Sequence, residues 1–204
     1  MTGASVAETD RLAGEGTATS CSVSLADGKG AGLVVSLTGA SLVGMMDNFT
    51  PARSADEARF KDELVDAGIP EHLHDWLGEF GVGALVVKMG IRFLEMSPER
   101  TVATMPVEGN TQVAGILHGG AHVVLAETLG SFAAGMHAGP GRQALGIEVG
   151  ATHHRAIAAG TVTGTCTAIH LGRTLATHEI VITDEQGRRL STARITNLIR
   201  DISA

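Results

Sequence analysis

The chain has 204 residues, of which 44% are hydrophobic and 18% charged, with a formal net charge of −7. That length allows one domain with a sizeable core and an appended segment. The acidic balance, with no basic run, argues against a nucleic-acid partner, and no apolar run reaches the ~18 residues of a membrane span.

Aromatic residues make up only 3% and Tyr is missing, so the core has to be built from Val, Leu, Ile, Ala and Met. Cys21 and Cys166 stand far apart and form no CxxC pair, which suits free thiols in a reducing compartment. The N-terminus has no basic stretch followed by an apolar one, so no secretory signal is read there. The expectation is a cytoplasmic protein.

Residues 1–40 are rich in Gly, Ala, Ser and Thr with weak periodicity, and are expected to be disordered or loosely attached. Within them Gly32–Leu37 could pair as a short strand. Gly28–Gly32 superficially resembles a dinucleotide-binding glycine loop. No strand signal precedes it and no helix follows, so it reads as a linker. Residues 41–69 read as a helical extension: Ser54 and Glu57 have capping-box spacing, and Gly68 with Pro70 closes a helix over about 55–67. The main domain is expected over 70–202. Pro70 starts a second helix whose apolar stripe is Leu73, Trp76, Leu77 and Phe80; His72 and His74 read as exposed polar positions.

From Lys88 the pattern changes. "IRFLEM" and "RTVATMPV", separated by "SPE", read as a hairpin or a bent long strand. A long helix follows from about His118 to Met136. Four strands come after it: "QALGIEVGATHHRAI", "GTVTGTCTAIHL", "TLATHEIVITD" and "RRLSTARITNLIR". The second of these alternates, with Val162, Gly164, Cys166 and Ala168 on one face and four Thr on the other. Cys166 is thereby a core residue, and Asp184–Gly187 is the turn between the last two strands. Strands, one long helix, then antiparallel strands make an α+β layout.

The central helix carries the chemistry. Leu125, Leu129, Phe132 and Met136 form a stripe suited to packing on a sheet. Glu127 points the other way, among Gly120, Val123, Val124, Gly130, Ser131 and Ala134, with no basic residue three or four positions away. An unpaired carboxylate on an apolar face is costly to cover. The small residues around it let a partner subunit approach closely. At the helix start, Gly119 and Gly120 leave their backbone N–H groups open to a ligand, at the positive end of the helix dipole. Such donors stabilise an oxygen gaining negative charge. The blander alternative is a tight helix start and a Glu127 bonded to Ser131.

"GILHGGAHVVLAETLGS" (Gly115–Ser131), with Gln112 six residues before His118, resembles the helix motif of hotdog-fold acyl-CoA thioesterases. The likeness extends over about residues 70–202, through "MPVEGNTQ", "GIEVGATHHR" and "IHLGR", and is strongest to the 4-hydroxybenzoyl-CoA and 1,4-dihydroxy-2-naphthoyl-CoA thioesterase branch. The related phenylacetyl-CoA branch has Asp at the position of Glu127.

The resemblance implies a hotdog fold: an antiparallel sheet wrapped around one long central helix, here with an N-terminal helical extension. It also implies hydrolysis of an acyl-CoA or aryl-CoA thioester to free acid and CoA. Glu127 would then be the nucleophile or the base for water, and Gly119 the N–H that polarises the carbonyl. Gln112 and His118 would help to position the substrate, and Ser131 would orient the carboxylate or the water. Gly120, His153, Arg155 and Arg173 would line the acyl or CoA site. No metal and no cofactor are expected, CoA being part of the substrate.

The pair His118 and His122, at i and i+4, lacks the carboxylate and third ligand of a zinc site. Because adjacent strand residues face opposite ways, His153 and His154 cannot share one ion. No GxSxG elbow is present, which weighs against a serine thioesterase, and no Asp and His pair fits a hotdog dehydratase. A non-catalytic acyl-CoA-binding protein on the same fold is the alternative. His118 and Glu127 lie about 13.5 Å apart along the helix and half a turn around it. The smallest active unit is therefore expected to be a homodimer with shared sites, and the resemblance implies a homotetramer.

Overall fold

The computed structural model describes residues 57–78 and 80–202, together with the backbone of two short strands, β1 (Ser20–Val23) and β2 (Val35–Thr38), which pair antiparallel. β2 overlaps the short strand expected at Gly32–Leu37. The glycine run at Gly28–Gly32 and the rest of residues 1–56 lie outside the described residues.

Helix α1 (Glu57–Asp66) ends at Gly68, whose φ of 74° turns the chain toward Ile69. Leu64, Ala67 and Ile69 are buried in the same core cluster as the central helix, and Ala67 O accepts the Phe93 N–H at 2.7 Å. The expected second helix is broken up. A 3₁₀ turn (Glu71–Leu73) leads into the single turn α2 (His74–Leu77), which stops at Gly78, and another short helix, α3 (Ala84–Lys88), follows. Leu77 is buried, but Phe80 is half exposed. Gly78, Gly81 and Gly83 fall within six residues, and propensity that weak cannot sustain a helix.

Strands β3 (Arg92–Met96) and β4 (Arg100–Pro106) form the expected hairpin. After the long helix α4 (Gly119–Ala138) come β5 (Arg142–His153), β6 (Thr161–Leu171), β7 (Leu175–Thr183) and β8 (Arg189–Asp201). The six strands are antiparallel, in the order β3-β4-β6-β7-β8-β5. This sheet curls around α4, which packs on β4 through β8. Its inner residues Met105, Val162, Cys166, Ile180, Ile182 and Ile195 meet Leu125 and Leu129 with almost no exposed surface. Burial pushes the Cys166 thiol up to about 12, as expected of an inert core cysteine.

Two glycines set how closely the helix can approach. A Cβ on Gly164 of β6 would come within 2.6 Å of Leu129 Cδ1, and one on Gly130 of α4 would collide with Ile195 Cγ2. Gly130 and Ala134, expected on the face turned away from the sheet, are in fact buried. The cause is curvature: a sheet wrapped around a helix covers far more than one stripe. Among the described residues no helix is long and apolar enough to cross a membrane.

Candidate active site

The sequence before α4 forms a small closed loop. Thr111 and Leu117 pair as an isolated bridge, Gln112 N–H donates to Ile116 O at 2.8 Å, and Gly115 N–H donates to Gln112 O at 2.9 Å. Gln112 is half-buried in this loop, and the next apolar side chain, Val113, is fully exposed. His118 then enters with φ −66° and ψ 134° and caps the helix. Its Nδ1 accepts the Gly120 N–H at 2.8 Å, and its carbonyl accepts the Ala121 N–H at 2.9 Å. A hydroxyl or carboxylate usually fills this role. With Nδ1 accepting, the neutral ring holds its proton on Nε2.

The N–H of Gly119, just before these two capped groups, has no acceptor among the described residues. It is a free donor at the positive end of a 20-residue helix. His153, at the end of β5, stands over it: a Cβ on Gly119 would be 3.0 Å from His153 Nε2. Glycine is needed here so that an imidazole and a ligand can both approach the backbone. His122, one turn into α4, packs its ring on His153 with centroids 5.1 Å apart. It is buried, with Nδ1 unpartnered among the described residues. Burial, then the neighbouring His153, pushes its pKa down to about 4. His153 is lowered too, by burial first and His154 second. Both shifts favour the neutral imidazole.

His154 faces the opposite side of the sheet, as adjacent strand residues must, and its Nε2 meets Thr192 Oγ1 at 2.9 Å. That outer face carries an open concavity of about 600 Å³, bordered by Thr152, His154, Glu179, Arg189 and Arg194. None of the expected site residues lines it. The unpaired Gly119 donor and the Glu127 carboxylate lie on the helix, away from this hollow.

Glu127 is eight residues beyond Gly119, about 12 Å along the axis. Between Ala121 and Ala138 it is the one exposed residue, every other position being buried or half-buried. Its Oε1 lies 4.0 Å from where a Cβ on Gly146 would sit, beside the bulge between Gly146 and Glu148 on β5. A β-bulge at such a place bends the edge strand and redirects its side chains. Ser131 is half-buried one turn further on. The Glu127–Ser131 hydrogen bond of the blander alternative does not form among the described residues. Within the single chain, Glu127 is open to solvent rather than covered.

Gln112, His118, Gly119, Gly120 and His153 are thus gathered at one end of α4, with Arg155 just beyond them, its N–H on Leu190 O at 3.2 Å. Arg173 is not. It follows Gly172, whose carbonyl accepts from His137 Nε2 at 2.9 Å near the far end of α4. Within one chain that separates it from Gly119 by about 27 Å. Sequence reasoning missed Ser191, which is fully buried and holds His153 Nδ1 at 3.1 Å. Only the register that pairs His153 with Ser191 could have revealed it.

A family model described as the Thioesterase superfamily matches residues 114–191. The proofreading thioesterase EntH of Cronobacter turicensis is 45% identical over 124 residues, which is 60% of this chain and 90% of the relative. The chain belongs to the thioesterase superfamily. Among solved structures, a thioesterase from Haemophilus influenzae is 31% identical with a TM-score of 0.58, covering 66% of this chain and 92% of its own. A mutant thioesterase from Pseudomonas aeruginosa is 36% identical with a TM-score of 0.57, covering 66% and 96%. The expected fold is therefore the fold found, a hotdog thioesterase with its sheet around α4, and the protein is a thioester hydrolase. The relative and the two solved structures match 60–66% of this chain.

Proposed function

We propose that this thioesterase hydrolyses an acyl-CoA or aryl-CoA thioester, giving the free acid and CoA, in sites shared by two subunits. The observation that carries the reading is the pairing of opposites on α4: a Gly119 N–H at its start and an exposed Glu127 eight residues on, each without a partner among the described residues. The thioester carbonyl accepts a hydrogen bond from Gly119, which draws electron density from its carbon. His118 and Gln112 hold the carbonyl from either side. Glu127 of the second subunit then attacks that carbon, or takes a proton from a water that does. Ser131 orients the carboxylate. The thiolate of CoA leaves and is protonated; where Glu127 is the nucleophile, water then hydrolyses the resulting mixed anhydride, releasing the free acid and restoring the carboxylate. His153, Arg155 and Gly120 border the substrate near Gly119, while Arg173 can reach the same substrate only from the second subunit. No metal or redox group is needed for this chemistry.

The test is Glu127→Ala, assayed by thiol release from benzoyl, hydroxynaphthoyl, phenylacetyl and medium-chain CoA esters. A folded protein with turnover reduced by about 10²-fold or more is expected, the scale of losing a catalytic base or nucleophile. Near wild-type turnover on the best ester would overturn the reading.

A further inference from the structure

His153 has a fixed tautomer, and the reason lies in a buried hydroxyl. Ser191 is fully buried on β8, directly opposite His153 in the ladder. Its Oγ contacts two groups: Thr152 O at 3.1 Å and His153 Nδ1 at 3.1 Å. A hydroxyl has one proton to give. A carbonyl can only accept, so that proton goes to Thr152 O. The contact with Nδ1 is then favourable only if Nδ1 is protonated and donates to Ser191 Oγ. The remaining nitrogen, Nε2, keeps its lone pair, and it is this nitrogen that stands over Gly119.

The start of α4 therefore offers a donor and an acceptor side by side. The Gly119 N–H suits a carbonyl oxygen, whereas His153 Nε2 suits an N–H or O–H close to that carbonyl. Acyl groups vary, but the thiol side of every CoA thioester is the same. Its first hydrogen-bond donor is the cysteamine amide N–H, two methylenes from the sulfur. We propose that Ser191 is a positioning residue that holds His153 as an acceptor, and that His153 Nε2 receives the amide N–H of the pantetheine arm. The pair thereby selects pantetheine thioesters over simple thioesters. This rests on the reading of the Gly119 end as the place where the thioester carbonyl binds.

The neutral state of His153 fits the role, since an imidazolium would carry a proton on both nitrogens and accept nothing. His122 supports it sterically. Its buried ring lies against His153 and keeps it from swinging toward the helix.

The experiment compares two benzoyl thioesters: that of N-acetylcysteamine, and its analogue in which the amide N–H is replaced by an ester oxygen. One neutral hydrogen bond is worth about five- to tenfold in kcat/KM. Wild type is expected to favour the amide probe by that factor. Ser191→Ala and His153→Leu should lose the preference, mainly through KM for the amide probe, while Ser191→Thr retains it. In ¹⁵N spectra of the full-length wild-type protein, His153 should show Nδ1 protonated and Nε2 bare. A purely structural Ser191 would slow both probes alike, and that result overturns the proposal, as does a wild-type preference below twofold or a proton found on Nε2. Glu127→Ala is run in parallel. If it hydrolyses both probes as wild type does, the reading of the site has failed; if it is inactive and wild type shows no preference, only the pantetheine assignment has.

Discussion

Subunit complementation tests the shared site most directly, and its size follows from geometry. Gly119 and Glu127 sit on one helix about 12 Å apart along its axis. A thioester carbon lies within about 3.5 Å of both its attacking oxygen and, through the carbonyl oxygen, its hydrogen-bond donor. One chain cannot close that gap with a straight helix between the two groups. Two antiparallel copies of α4 across a two-fold axis can, each giving its start to the other's carboxylate.

The perturbation is a mixture of two inactive proteins, Glu127→Ala and the double variant Gln112→Ala with His118→Ala. Co-expression in equal amounts makes half of the dimers mixed, and each mixed dimer holds one site with both halves intact. Thiol release should therefore recover to about a quarter of wild type per site. Mass spectrometry of the intact assemblies verifies that mixing occurred. Recovery below a few per cent in demonstrably mixed dimers would refute the shared site.

Other predictions follow from the same contacts. Ser131→Ala should reduce kcat less than Glu127→Ala, because it orients and does not react; an equal or larger loss in steady-state kinetics would reverse the two roles. Gly130→Ala should lower the unfolding free energy by about 1 kcal/mol in chemical denaturation, since overpacking against Ile195 costs about 1–3 kcal/mol while helix propensity returns about 1. A stabilised variant would show that α4 does not press on β8 there. For Asp184, burial raises the pKa, but the Arg188 N–H, the Arg188 guanidinium and the Gln186 N–H outweigh it and hold the carboxyl below its ordinary 3.8. Its folded value is depressed, so its contribution is full above about pH 4 and fades as the pH falls through the folded value. Asp184→Asn should flatten the fall in melting temperature below pH 4, and an unchanged slope would contradict this.

Much of the molecule was legible in its residues. Alternation in Thr161–Ala168 gave β6, with Cys166 on the inner face, and "DEQG" marked the β7–β8 turn. The mostly apolar stretch from Ala121, with Glu127 as its one carboxylate, marks α4 and singles out Glu127 in the sequence alone. Local patterns reveal these features because strand and helix periods are local properties of the chain. Apolar spacing after Pro70 suggests one helix, but Gly78, Gly81 and Gly83 break the segment into short turns.

What only the tertiary structure decided is which distant groups meet. Antiparallel registry set His153 against Ser191, 38 residues away, and a shift of one residue would have turned that imidazole to the outer face. Sheet curvature buried Gly130 and Ala134, which a helical wheel places beside Glu127, and left Glu127 alone in solvent. Sequence determined that a carboxylate and a free helix start exist on the same helix. Their spacing on a rigid helix, also readable in the sequence, holds them about 12 Å apart, and folding decided that His153 and Ser191 come to stand at that helix start.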